Sequence, residues 1–175
     1  MRPFPMSMSR AVQFISLLST LLVLAVPLLV WSAIPGLRLT PSAEVARWSV
    51  LLVPLIPLAS WALAPRSLEL EGGELRILRR AWRAASYPLA RIDEVALLPR
   101  GWMLGAWKTF GNGGLFGYYG WFYRKGSVRL FCTRGDRLVE VMMDGRRIVV
   151  SPDEPGRFME ELRAVAPRAR VRAGP

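Results

Sequence analysis

Residues Ala11 to Ile34 read AVQFISLLSTLLVLAVPLLVWSAI, twenty-four residues without a charge. At about 1.5 Å of rise per residue, a helix of that length exceeds a hydrocarbon layer about 30 Å thick. Arg2 and Arg10 precede the run, as they would in a signal peptide. The run is too long for a typical signal core, however, and Trp31-Ser32-Ala33-Ile34-Pro35 offers no A-x-A-like cleavage site. It reads as a retained membrane helix over residues 11–34.

A second apolar run, Trp48 to Ala64, lies between Arg47 and Arg66. Seventeen residues reach only about 26 Å at helical rise, so a crossing would need little tilt or local bilayer thinning. Pro54 and Pro57 fall inside it, which membrane helices tolerate where neighbours satisfy the freed carbonyls. Trp31, Trp48 and Trp61 stand near the ends of the two runs, where indoles favour the interface. The expectation is a transmembrane hairpin. Residues 1–10 and everything after residue 64 then lie in the cytoplasm, and 35–47 form a short external loop. Charge agrees: the loop has two arginines and one glutamate, whereas Arg66, Arg76, Arg79, Arg80 and Arg83 follow the second run. The expected location is the plasma (inner) membrane.

From Ser67 the period changes to two. Ser67-Leu68-Glu69-Leu70-Glu71 and Glu74-Leu75-Arg76-Ile77-Leu78 alternate around Gly72-Gly73, a hairpin signal. Further strands are predicted at 86–89, 92–98, 128–133, 138–143 and 146–150, the last two joined by Asp144-Gly145. Near the end Asp153 can cap a helix with Pro155 in its first turn. Phe158, Leu162 and Val165 then make one apolar stripe. Seven strands and one amphipathic helix suggest an α+β domain over 66–166, a small antiparallel barrel or sandwich plugged by the helix. Residues 167–175 read as a disordered basic tail.

The chain has no histidine and one cysteine, Cys132, which removes most zinc sites and every Ser-His or Cys-His nucleophile. A lone Cys in a strand is read as a small buried apolar residue. Asp93 with Glu94, and Asp153 with Glu154, are adjacent pairs. Strand neighbours face opposite sides, so they do not converge on a substrate. No enzymatic activity, cofactor or metal is expected. Residues 66–175 carry twenty Lys or Arg against twelve Asp or Glu, a net of +8. Such a module can be drawn to anionic headgroups or to nucleic acid, or the arginines can serve solubility.

Between Trp102 and Tyr123 lie nine of the eighteen aromatic residues and six glycines. Gly111-Asn112-Gly113-Gly114 lacks the Lys-Ser/Thr continuation of a phosphate loop. Rings beside Lys108, Arg124 and Lys125 could stack on single-stranded bases, though a membrane anchor disfavours nucleic acid. The remaining readings are a loop at the membrane interface or on a partner, or a folded loop covering one barrel end. The candidate interface comprises Trp107, Lys108, Phe110, Gly111, Gly113, Gly114, Phe116, Gly117, Tyr118, Tyr119, Gly120 and Trp121.

The run Lys108-Thr109-Phe110-Gly111-Asn112-Gly113-Gly114-Leu115-Phe116-Gly117-Tyr118-Tyr119-Gly120, with Val149-Val150-Ser151-Pro152-Asp153-Glu154-Pro155 and Phe158, resembles a bacterial PH-like domain family. The resemblance covers about residues 67–165. It implies a pleckstrin-homology-like fold of seven strands in two sheets with a C-terminal helix, and it implies no enzymatic activity. Lipid-binding eukaryotic PH domains usually hold inositide headgroups with basic residues around the first hairpin. Here that turn reads Glu71-Gly72-Gly73-Glu74, which would repel phosphates. The expected role is a membrane-anchored interaction module meeting the bilayer, a protein partner or a second copy of itself. The rivals are a membrane-associated enzyme and a tethered nucleic-acid binder.

Overall fold

A computed structural model describes residues 3–33, 48, 50–166 and 168–172. The first apolar run forms helix α1, Arg10–Ala33. Its stretch Arg10–Leu29 has a mean hydropathy of 2.3 and only 17% of it is buried, so it is long and apolar enough to cross a membrane.

The second run departs from the expected continuous helix. Its regular part, α2, spans Leu55–Leu63, about 14 Å at helical rise. Upstream the chain is held by tighter i→i−3 bonds, with Leu51, Val53, Leu55 and Ile56 amides donating to the Trp48, Val50, Leu52 and Val53 carbonyls. Pro54 and Pro57 are the cause. Neither has an amide hydrogen to give the carbonyl four residues before it, so Val50 and Val53 accept from three residues on instead. Among the described residues one helix, rather than two, meets the requirements of a membrane span. The expected external loop, 35–47, lies outside the described residues.

The strands are β1 (Phe4–Pro5), β2 (Pro65–Glu71), β3 (Glu74–Arg79), β4 (Ala85–Pro88), β5 (Ile92–Leu97), β6 (Trp107–Gly113), β7 (Tyr118–Tyr123), β8 (Ser127–Cys132), β9 (Val139–Met143), β10 (Arg146–Val150) and β11 (Arg170–Arg172). Helix α3 covers Pro155–Val165. One sheet has the order β1-β2-β3-β4 and the other β11-β5-β9-β10-β8-β7-β6. All seven expected strands are present. Gly72 and Gly73 both take positive φ in the β2–β3 turn, as do Asp144 and Gly145 between β9 and β10.

Four expectations need correction. The stretch taken as a loop is the β6–β7 hairpin, with Gly111 opposite Gly120. The larger sheet is mixed rather than antiparallel, because β10 inserts between β8 and β9 and runs parallel to β8. The tail is ordered in part: β11 pairs with β5, and Arg172 Nε lies 3.6 Å from Glu94 Oε1. Asp153 makes no cap bond to α3. Its Oδ1 instead accepts from the Ser7 amide at 2.9 Å and from the Ser7 hydroxyl, fastening the N-terminal segment to the domain.

The core lies between the sheets, where Leu68, Leu75, Ile77, Val95, Val139 and Val150 meet Phe158 and Leu162 of α3. A second cluster on the other face of the large sheet joins Trp102, Phe122, Val128, Leu130, Cys132 and Val149. Adjacent residues of β8 and β10 therefore enter different clusters, which is the period-two rule with both faces covered. Cys132 is fully buried, and burial pushes its thiol pKa far up, so it is packing rather than chemistry.

The glycine pair on β6 and β7 is required by geometry. Gly111 and Gly120 have φ of +122° and +121°. A Cβ on Gly120 would lie 2.4 Å from the Phe110 carbonyl oxygen. Gly120→Ala should lower stability by about 2–4 kcal/mol, combining backbone strain with overpacking. Gly156→Ala, in open space on α3, should be neutral or slightly stabilising. Thermal unfolding of the full-length protein in detergent checks both.

Candidate functional site

The β6–β7 hairpin is docked on the apolar helices at its turn end. Only a narrow stripe of α1 is buried near the domain, Val12 and Ser16. The Ser16 hydroxyl donates to the Val12 carbonyl at 2.6 Å and accepts from the Phe116 amide at 2.7 Å. Phe116 itself sits in the left-handed region, with a φ of +59°. On α2, the Ser60 carbonyl accepts from the Tyr119 hydroxyl. Asn112 completes the arrangement: its Nδ2 donates to the Tyr119 hydroxyl at 2.7 Å and to the Leu115 carbonyl at 2.8 Å.

The expected interface residues therefore divide. Gly111, Gly113, Gly114, Phe116, Gly117, Tyr119 and Gly120 build the hairpin and its seat on the helices. A Cβ at Gly117, for example, would lie 2.5 Å from the Cys132 carbonyl oxygen. Tyr118 packs against the second core cluster. Trp107 and Phe110 are 78% and 77% exposed, and Lys108 and Trp121 are exposed too. Phe110 pairs with Trp121, and Trp121 with Arg129, so these side chains form one row across β6, β7 and β8. The smaller sheet leaves that row uncovered, and Leu63 of α2 lines the same 180 Å³ cavity as Phe110 and Trp121.

A second exposed group surrounds the base of α2. The Arg80 and Ala81 amides donate to the Ala64 and Ala62 carbonyls at 3.0 and 3.1 Å. This holds Arg80-Ala81-Trp82-Arg83 beside the helix end, with Trp82 61% exposed. Sequence reasoning did not single out Ser16, Ser60, Trp82 or Arg129, and it read Asn112 only in a phosphate-loop pattern and Arg79 only as part of the charge that follows the second run. For Arg79 a signal existed. Leu75 and Ile77 are the inward residues of β3, and Arg79 continues their register, a charge where the pattern calls for an apolar side chain.

The acids found other duties. Asp93 Oδ2 accepts from the Asp144 amide at 2.9 Å in the β9–β10 turn, while Glu94 faces Arg172. Glu140, largely buried, holds Arg147 at 2.6 Å. At the first hairpin Arg76 lies 3.9 Å from Glu69 and 3.4 Å from Glu71, so its charge is already met there. Among the described residues no three of His, Cys, Asp and Glu gather in a metal-binding group.

Burial raises the Tyr119 phenol above its ordinary pKa, against the opposing pull of its hydrogen bonds to Asn112 and Ser60. The neutral phenol is thus favoured in the folded state. The stability it contributes is fully present below the ordinary tyrosine value of about 10 and is lost as pH rises through the higher folded value. Tyr119→Phe should cost about 1–2 kcal/mol at neutral pH through the lost bonds to α2 and Asn112. It should also flatten the loss of stability above about pH 10. Thermal unfolding midpoints measured from pH 7 to 11 check both effects.

Residues 66–166 match the profile of a family described as "Bacterial PH domain". No curated protein and no solved structure matches the chain.

Proposed function

Because this chain belongs to the bacterial PH domain family, we propose that it is a membrane-anchored, non-catalytic interaction module that rests on the anionic inner leaflet. The observation that carries this reading is the docking of the domain on the apolar helices through Ser16–Phe116 and Ser60–Tyr119. The start of α1 and the end of α2 touch the same hairpin. At the far end, Trp31 and Trp48 meet edge to face at 5.7 Å. That supports two antiparallel segments of matched height, the second one kinked, which leave and re-enter the domain on one side. Leu17, Leu18, Leu21, Leu22, Leu28 and Leu29 are exposed along α1, an apolar surface suited to lipid.

Charge supports a cytoplasmic domain, since Arg66, Arg79, Arg80 and Arg83 all gather after the second run. Around the base of α2, Trp82 and Phe110 would lie at headgroup depth, with Arg80 and Arg83 among the anionic lipids at about 1 kcal/mol each. The domain over 66–166 has no free linker in which to swing. Its orientation to the bilayer is set by the hydrogen bonds to both helices.

The test is topology in living cells. Cys132 is buried, so single cysteines can be added for labelling. An impermeant maleimide should label Ser42→Cys on intact cells and Glu71→Cys only after lysis, with the protein retained in membranes after alkaline carbonate extraction. The reverse labelling pattern would sink the orientation, and release by carbonate would sink the anchor. In vesicles containing brominated lipid, Trp82→Phe should lose part of the tryptophan quenching. Unchanged quenching, together with a reproducible crosslinked protein at that position, would favour a protein partner over the leaflet.

A further inference from the structure

At the mouth of the sandwich, next to α2, two arginines from opposite sheets converge on one ring. Arg79 ends β3 in the smaller sheet, and its guanidinium carbon lies 5.6 Å from the centroid of Phe131. Arg129 comes from β8 in the larger sheet and lies 5.2 Å from the same centroid and 5.3 Å from that of Trp121. Among the described residues no carboxylate comes within 4.0 Å of either one; Arg80 and Arg83 share that lack, but Arg79 and Arg129 are the pair that converges on one ring. Arg79 Nε is shielded from water and has no hydrogen-bond partner among the described residues.

That arrangement is costly as it stands. Like charges held together raise the energy of both, and a buried N–H without an acceptor adds its desolvation cost. Burial and then Arg129 push the Arg79 pKa down, which is the same strain seen from the proton's side. Both arginines line the 180 Å³ cavity, which is walled also by Phe110, Trp121, Tyr119 and Leu63. Through Trp121 and Arg129 it adjoins a cleft of about 380 Å³ lined by Tyr87, Arg146 and Arg147. An oxyanion between the two guanidiniums would neutralise both and supply the missing acceptor, and guanidinium forks suit phosphate. The wall formed by Leu63 and Phe110 gives an attached acyl chain an apolar way out along α2.

We propose that the Arg79–Arg129 cleft is a binding site for the phosphate of an anionic phospholipid headgroup, whose acyl part follows α2. The site lies at the far end of β3 from the Glu71-Gly72-Gly73-Glu74 turn. The choice of a lipid over a soluble phosphate compound rests on the membrane reading above. The binding chemistry does not, and it can be read in detergent without any bilayer.

The experiment titrates full-length protein in a neutral detergent with short-chain phosphatidylglycerol, short-chain phosphatidylcholine or inorganic phosphate, reading the thermal unfolding midpoint. Phosphatidylglycerol should raise the midpoint saturably, with inorganic phosphate acting only at far higher concentration. Arg79→Gln with Arg129→Gln should weaken the phosphatidylglycerol effect by roughly tenfold or more, since two charge-assisted contacts are lost. Arg157→Gln, removing a charge on α3 away from the cleft, should leave it unchanged. If the double variant fails to fold, Arg129→Lys keeps the charge, removes the fork and should still weaken binding. A shift that survives these cleft variants overturns the site. Inorganic phosphate acting as well as the lipid overturns the lipid assignment. Failure here with carbonate-resistant, correctly oriented protein leaves the anchor standing, whereas cleft binding by a carbonate-released protein would separate the two the other way.

Discussion

A helix as apolar as α1 has little besides packing with which to hold a folded domain in one orientation, and Ser16 supplies the exception. Its hydroxyl satisfies the Phe116 amide while returning its own proton to the Val12 carbonyl. The bond is polar, short and part-buried, so breaking it would leave a partly shielded amide without its acceptor. The Tyr119–Ser60 bond repeats the device on α2. Together they place the hairpin, and with it the whole large sheet, against the base of the helices.

Those contacts explain the composition of the hairpin. The turn that presents the Phe116 amide to α1 runs through positive φ at Gly114, Phe116 and Gly117, two of the three being glycine, the residue that tolerates it. Further along, Gly111 and Gly120 leave no space for side chains where the strands cross. The aromatic residues then fall into two classes. Tyr119 and Phe122 are buried and hold the sheet, whereas Trp107 and Phe110 remain outside and give the surface its character.

Arginine has been sorted in a comparable way. At the first hairpin and on α3, Arg76 and Arg157 meet carboxylates, exposed ion pairs that contribute little to stability. At the sandwich mouth Arg79 and Arg129 stack on Phe131 and meet none among the described residues. Net charge alone could not distinguish these situations. It sums over residues whose partners come from distant parts of the chain, as Arg172 with Glu94 and Arg147 with Glu140 illustrate.

The apolar runs, the β2–β3 and β9–β10 turns, and the stripe Phe158–Leu162 were legible in the sequence because each depends on residues within a few positions of one another. Hydrophobic period and turn chemistry are local. What tertiary structure decided was non-local. The insertion of β10 beside β8, the pairing of β11 with β5, and the use of Asp153 by Ser7 rather than by its own helix all join residues far apart in sequence. The second apolar run shows the boundary between the two kinds of information. Its length and hydropathy came from composition, but its division at Pro54 and Pro57 depended on which carbonyls could find another donor. The chain by itself determined that a long apolar helix precedes a glycine-punctuated β domain. Only the fold determined that the two are fastened together by Ser16 and Tyr119, and that two arginines without a carboxylate among the described residues meet at that junction, because burial and proximity belong to the packed chain.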